Sequence, residues 1–142
     1  MRRKFNKYYN SIIAALLAIL GFSGACSDHV DEYGSPSAKF IIKGKVLSVK
    51  IEKPISNIRI SMQEDTTYSD TEGNYEVIDR WGFPTDYIYT VQFRDIDGTV
   101  NGEYEPLDTL IEFINPTFTG GDGNWYQGET EKTLDVKLNS KE

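Results

Sequence analysis

The chain has 142 residues and a formal net charge of −7, from 15 Lys and Arg against 22 Asp and Glu. This length suits one domain. The acidic balance excludes a sequence-independent nucleic-acid binder, because such a protein needs cations to contact phosphates. One Cys and one His exclude a Cys/His zinc site or a disulfide framework within a single chain. The hydrophobic fraction of 39% is too high for a disordered chain, so we expect one small folded domain.

The N-terminal segment has the order of a secretory signal. Four basic residues within positions 2–7 precede an uninterrupted apolar run at 12–22 (IIAALLAILGF), and the small residues 23–25 follow. A basic region, a short apolar segment and a small-residue cleavage site define such signals. A transmembrane helix is the alternative, but the uninterrupted apolar run at 12–22 has only 11 residues, and a bilayer requires about 20 predominantly apolar ones. We predict that residues 1–25 are a signal helix that is removed on export.

The only Cys follows this signal directly. Ser23-Gly24-Ala25-Cys26 resembles a bacterial lipobox, in which the Cys becomes the acylated first residue of the mature protein, although Ser23 stands where that pattern usually has Leu. Two or three acyl chains such as palmitate anchor a protein stably, since each buried methylene adds about 0.8 kcal/mol. The resemblance implies an exported lipoprotein that is held through Cys26 in a membrane of the cell envelope, namely the outer membrane.

The remainder divides into a tether and a body of strands. Residues 26–38 are polar, contain Gly34 and Pro36, and lack a hydrophobic period, which predicts a flexible tether. From residue 39 to residue 140, apolar and polar residues alternate with the period of β-strands. The predicted strands are 40–47, 58–63, 66–69, 75–79, 87–94, 107–114 and 134–138.

These segments predict the fold class. Short strands with turn residues between them are typical of an all-β domain, here a single antiparallel two-sheet sandwich of about seven strands. One face of each strand supplies the predicted core: Phe40, Ile42, Val46, Ile58, Ile60, Tyr75, Val77, Val91, Phe93, Leu110, Leu134 and Val136.

Part of this body resembles the carboxypeptidase regulatory-like domain. The matching pieces are 44–46 (GKV), 53–60 (KPISNIRI) and 69–75 (SDTEGNY). Asn57 is a residue type that tolerates left-handed backbone, and Gly73 supplies the turn before Tyr75 enters the core. The resemblance implies a prealbumin-type β-sandwich over residues 39–140 and no particular activity.

A second resemblance extends over most of the chain. Its segments are 8–10 (YYN), 32–36 (EYGSP), 95–98 (DIDG) and 118–126 (FTGGDGNWY). They are similar to the radical SAM-associated lipoproteins of Bacteroidetes, which are exported and encoded beside a radical SAM enzyme. No activity is established for that family, so the resemblance implies a genomic partner and no mechanism.

Residues 95–103 (DIDGTVNGE) are a candidate metal site. Asp95, Asp97, Asn101 and Glu103 carry the oxygen ligands that calcium prefers, and glycine lets a loop wrap closely around an ion. The spacing departs from an EF-hand loop, because the glycine comes at position 4 and the bidentate Glu at position 12 is missing. The alternative is an Asp-Gly hairpin turn, since both residue types accept positive φ.

The segment 115–128 (NPTFTGGDGNWYQG) is long for a connection in a sandwich. It carries Phe118, Asp122, Trp125 and Tyr126 among four glycines. Aromatic rings offer stacking surfaces, and Asp can bond to a sugar hydroxyl or a peptide amide. Three alternatives stay open: the segment binds a ligand, caps one end of the sandwich, or is modified by the radical enzyme before export.

No catalytic pattern is present in the sequence. The spacing of the acidic residues selects no pair for glycoside hydrolysis, and the chain lacks a Gly-x-Ser-x-Gly motif, a P-loop and a dinucleotide fingerprint. We therefore expect a non-enzymatic binding or assembly module, associated with a radical SAM system and without a cofactor. The alternative function is a calcium-stabilised carbohydrate- or peptide-binding domain that uses residues 95–103 and 118–126.

Overall fold

The computed structural model describes residues 10–13, 15 and 34–142. Residues 10–13 and 15 are helical, while the rest of the predicted signal helix, Cys26 and most of the predicted tether lie outside the described residues. Within the described part of the chain, no helix is long and apolar enough to cross a membrane. Residues 34–142 contain nine strands: β1 Ser37–Ser48, β2 Ile58–Met62, β3 Asp65–Tyr68, β4 Asn74–Gly82, β5 Tyr87–Asp95, β6 Leu107–Phe113, β7 Thr119–Gly120, β8 Tyr126–Thr133 and β9 Val136–Leu138.

The strands form two sheets, and the prediction of an all-β two-sheet sandwich is confirmed. One sheet has the order β4-β1-β8-β7, with β9 also paired to β1, and the other has the order β3-β2-β5-β6. The pairing differs from the antiparallel prediction in one respect: β1 runs parallel to both β8 and β9. The sandwich also begins at Ser37, two residues before the predicted boundary.

Two of the strands, β7 and β8, were not predicted, and both lie wholly or partly in the segment 115–128. Apart from Tyr126, β8 (YQGETEKT) has no large apolar residue, so no hydrophobic alternation marks it. Its position comes from pairing with β1, where Lys39 faces Glu129. Ion pairs Lys39–Glu129 (3.0 Å) and Lys43–Glu131 (2.7 Å) link the two strands.

The core lies between the sheets and contains most of the predicted residues. Leu110 was predicted wrongly: it is 63% exposed, while Ile111 and Phe113 are buried. Strand β6 alternates apolar Leu107, Ile111 and Phe113 with acidic Asp108 and Glu112, which favours the odd-numbered face as the inward one. Leu110 lies on the other face, where pairing with β5 places it opposite the exposed Thr90. Leu134 is only partly buried. The buried members of the predicted core are Phe40, Ile42, Val46, Ile58, Ile60, Tyr75, Val77, Val91, Phe93 and Val136.

Both residues that were predicted to lie in turns have a positive φ, as their residue types suggest. Asn57 has φ 60° and Gly73 has φ 78°. A Cβ atom on Gly73 would lie 2.6 Å from the Val46 carbonyl oxygen, so this position excludes a side chain for steric reasons as well. Tyr75 then enters the core, and its hydroxyl donates to the Leu134 carbonyl.

Candidate functional site

A groove of about 440 Å³ opens beside the first residues of β5. It exists because the β2–β3 hairpin is short. The pairing of β2 with β5 stops at Ser61 opposite Gln92, whereas β5 begins at Tyr87 and pairs there with β6. Within the described residues, the other side of β5 over 87–91 therefore has no neighbouring strand of its own sheet. The side chains around this groove include Glu64, Asp65, Arg80, Trp81, Phe83 and Tyr87.

A β-bulge in β4 turns two adjacent side chains of the groove outward. Phe40 pairs with Asp79 and Ala38 pairs with Gly82, so one residue of β1 faces two residues of β4, Arg80 and Trp81. The extra residue changes the parity of the strand. Without it, Trp81 would share the inward face of the preceding odd-numbered residues of β4, whereas both Arg80 and Trp81 are exposed.

The neighbours of Trp81 hold this geometry in place. Its backbone N–H donates to Asp79 Oδ1 at 3.0 Å. The next residue, Gly82, takes the inward position, where an added Cβ would lie 2.7 Å from atoms of the Phe40 ring and 3.0 Å from the Tyr89 hydroxyl. Because of the bulge, Gly82 faces the core instead of Trp81, and the indole of Trp81 lies on the surface.

Aromatic rings and a cation dominate the exposed wall of the groove. Trp81 is 79% exposed and Phe83 is 57% exposed. Arg80 is exposed, and the ion pairs among the described residues do not include it. Together these groups can stack on a flat or apolar surface and donate hydrogen bonds.

Two carboxylates of the groove, those of Asp65 and Asp79, accept hydrogen bonds from the same chain. Asp65 Oδ2 accepts from the Ile78 N–H at 2.8 Å, and Asp79 Oδ2 accepts from the Tyr89 hydroxyl at 2.8 Å. Burial, together with the bond to Asp79, raises the pKa of the Tyr89 hydroxyl above its ordinary value. Tyr89 therefore stays protonated and can act as a hydrogen-bond donor.

The residues predicted as a ligand loop have separate roles. Phe118 packs edge-on against Phe40, with ring centroids 5.5 Å apart, so it caps the core as one of the three alternatives expected. Asp122 accepts from the Asn124 N–H at 2.8 Å and closes a turn. Tyr126 is half-buried at the start of β8, and Trp125 is 41% exposed. Ligand binding by Phe118, Asp122, Trp125 and Tyr126 stays a prediction.

Trp125 lies at the same end of the sandwich as Trp81. The N–H of Ser37 donates to the Trp125 carbonyl at 2.8 Å, and the next residue of β1, Ala38, pairs with Gly82. The two Trp residues therefore lie on either side of β1, and since neighbouring strands are about 4.8 Å apart, their strands are separated by about 10 Å across the sheet. We call Trp81, Phe83 and Trp125 the aromatic end; it contains both tryptophans of the chain.

The predicted calcium ligands lie at the opposite end, among residues 49–57 and 95–106, which we call the loop end. Asp95 accepts from the N–H groups of Asp97 and Tyr104, and Glu103 pairs with Lys141 at 2.9 Å. Asp97 Oδ2 accepts from Asn101 Nδ2 at 2.9 Å. In the part of the chain that the structure describes, no three His, Cys, Asp or Glu side chains are grouped so that they could hold a metal ion. Calcium binding at this loop stays a prediction.

Sequence reasoning did not single out Arg80, Trp81 or Phe83. A signal was present, because the five residues 80–84 (RWGFP) put two large aromatics around a glycine where the alternation of a predicted strand breaks down. Glycine inside a strand pattern often marks a bulge. Only the pairing with β1, however, shows which way the indole points.

The comparisons with known proteins supply no family. No family model matches the chain, and no curated protein matches it. Among solved structures, a 9R-lipoxygenase from Cyanothece PCC8801 is similar over 97% of this chain and 24% of its own, with 16% identity and a TM-score of 0.30. The chain thus spans about a quarter of that lipoxygenase, and a TM-score this low supports no argument about fold or activity.

Proposed function

We propose that this protein is a lipid-anchored, non-catalytic module of the cell envelope that binds a partner through its aromatic end. The observation that carries the proposal is the exposure of Trp81 and Phe83 beside an Arg80 outside the described ion pairs. Large exposed aromatic surfaces mark interaction sites, and Trp and Arg dominate the energetics of many interfaces.

The framework around these side chains supports binding. Trp81 projects from a bulge that two paired strands fix in register, so its backbone position is set before a partner arrives. Sites on strands are held more accurately than sites on loops. The nearby carboxylates of Asp65 and Asp79 accept internal hydrogen bonds, which favours contact over acid–base chemistry.

The anchor in this proposal is an acylated Cys26 in the outer membrane. Its support is the order of the basic, apolar and small residues before the Cys. The resemblance to the radical SAM-associated lipoproteins supports the further proposal that the module works beside a radical SAM system.

The intact mass of the native protein, purified from membranes in detergent, tests the anchor. We expect the mass of residues 26–142 plus acyl groups, and we expect a Cys26→Ser variant to lack the acyl mass. A chain that begins at Met1, or that is cut elsewhere with a free Cys26, would contradict the proposal. A further mass change within residues 118–128 would identify the chain as a substrate of the radical enzyme.

Photo-crosslinking in intact cells tests the binding surface. Benzoylphenylalanine replaces Phe83 in one variant and Val100, an exposed residue of the loop end, in a matched control. We expect adducts at position 83 and none, or far fewer, at position 100. Equal labelling at both positions, or none at either, would refute a binding role for the aromatic end.

A further inference from the structure

We infer that the partner of the aromatic end is the phospholipid surface that carries the anchor, so that Trp81, Phe83 and Trp125 lie at the membrane interface. This inference rests on the proposed function, because it requires the acylated Cys26. It goes further by naming the partner and the orientation of the sandwich on the membrane.

The length of chain before the sandwich limits where the anchor can be. Seven residues, 27–33, separate Cys26 from Gly34. Whatever path they take, the eight Cα–Cα steps span at most about 27 Å. Gly34 itself belongs to the aromatic end, because a Cβ atom there would lie 2.6 Å from the Trp125 indole.

The loop end is out of reach of such a short connection. Strand β1 runs from Ser37 at the aromatic end to Ser48, 11 residues later. At about 3.3 Å per residue, this strand separates the two ends by about 36 Å. An acyl chain on Cys26 therefore limits how far the aromatic end can lie from the lipid, and this limit is much tighter than the one for the loop end.

The exposed side chains at this end have the chemistry of a membrane interface. Trp and other amphipathic aromatic rings concentrate at the level of the lipid headgroups. Both tryptophans of the chain lie here, and Phe83 lies two residues after Trp81. The described loop end instead exposes aliphatic side chains, including Ile51, Ile96 and Val100.

The charges point to a neutral lipid surface. Four of the 15 basic residues and none of the 22 acidic ones precede Cys26, so the mature chain carries a net charge of −11. Anionic lipids would repel it, and insertion of rings is then the available attraction. Carboxylates beside the aromatic end, Asp86 and Asp122, accept from the backbone N–H groups of Asn115 and Asn124, which favours an apolar partner over a glycan.

Tryptophan fluorescence tests the inference without a label, because the chain has only these two tryptophans. The acylated protein is reconstituted into phosphatidylcholine vesicles and compared with the unacylated Cys26→Ser protein in buffer. We expect emission at shorter wavelength, reduced quenching by acrylamide, and quenching by brominated phosphatidylcholine. A Trp125→Phe variant assigns the signal to Trp81.

A matched control places a reporter at the other end. In a Trp81→Phe/Trp125→Phe background, Val100→Trp puts an exposed indole on the loop end, and circular dichroism checks that the variant folds. We expect brominated lipid to leave this indole unquenched. Equal quenching at both ends would overturn the proposed orientation.

The outcomes separate this inference from the proposed function. In one outcome, the protein floats with the vesicles but has the same emission and acrylamide quenching as the unacylated form. The anchor is then present, and the inferred contact between the aromatic end and lipid is wrong. If the indoles become protected only when envelope protein or glycan is added, the aromatic end binds a partner, but that partner is not lipid. Native protein that lacks acyl groups would remove the anchor and, with it, this inference.

Discussion

The two ends of the sandwich expose different side chains, paired polar groups with aliphatic residues at the loop end and aromatic rings at the aromatic end. At the loop end, Asp95, Asp97 and Glu103 form hydrogen bonds or ion pairs with groups of the same chain. At the aromatic end, Trp81 and Phe83 leave most of their surface to solvent. Polar loops can close on themselves through local hydrogen bonds, whereas exposed rings gain stabilisation only from another surface. This contrast is the reason why we propose the aromatic end, rather than the loop end, as the surface that faces a partner.

The largest expected loss of stability comes from a substitution in the core beneath the aromatic end. Phe40 packs against Tyr87, Tyr89, Phe113 and Phe118, with centroid distances of 5.1–5.9 Å. We expect Phe40→Ala to lower the free energy of unfolding by about 3–5 kcal/mol, because it leaves a cavity among these rings. Urea denaturation followed by circular dichroism measures the loss. A loss no larger than that of an exposed substitution would show that the rings do not form one cluster.

The second-largest expected loss of stability comes from a buried hydroxyl group next to the loop end. Ser69 is 3% exposed; its hydroxyl donates to the Ile55 carbonyl at 2.7 Å and accepts from the Ile58 N–H at 3.0 Å. Ser69→Ala leaves two buried backbone groups unpaired, and we expect it to cost about 1–3 kcal/mol of unfolding free energy. The control is Ser56→Ala, which removes an exposed hydrogen bond to Asn101 and should cost no more than about 0.5 kcal/mol.

A smaller effect is expected at Asp97, where the calcium hypothesis can also be tested. Asp97→Ala removes acceptors for Asn57 and Asn101, and we expect a loss of about 1 kcal/mol in chemical denaturation. Because the carboxylates of this loop accept internal donors, we expect added calcium to leave the melting temperature unchanged. A rise with calcium that disappears in Asp97→Ala would instead favour the calcium-stabilised binding domain and give the loop end a ligand of its own.

The smallest expected effect on stability is at Trp81. Its indole is mostly exposed, so Trp81→Ala should change the free energy of unfolding by no more than about 0.5 kcal/mol. The same substitution should abolish most of the contact between the aromatic end and the lipid surface. Unchanged stability together with lost lipid contact would show that the indole serves the partner and not the fold. A large loss of stability would show that the indole supports the fold and would weaken its assignment to a partner.

The sequence alone was sufficient for features with local causes. Alternation along 40–47 and 87–94 predicts strands because the side-chain period of a strand is two, and β1 and β5 confirm them. Asn57 and Gly73 predict turns because few residue types tolerate left-handed backbone, and both have positive φ. These features depend on a residue and its immediate neighbours, so no distant partner is needed to specify them.

Other features depend on pairing between strands that are distant in the sequence, and only the tertiary structure decided these. Strand β8 has no hydrophobic alternation of its own and exists because β1 offers it a paired edge. Trp81 is exposed because one residue of β1 meets two of β4. Side-chain direction in a strand reverses with a shift of one residue, so a bulge set by a strand some 40 residues away determines whether this indole belongs to the core or to the surface.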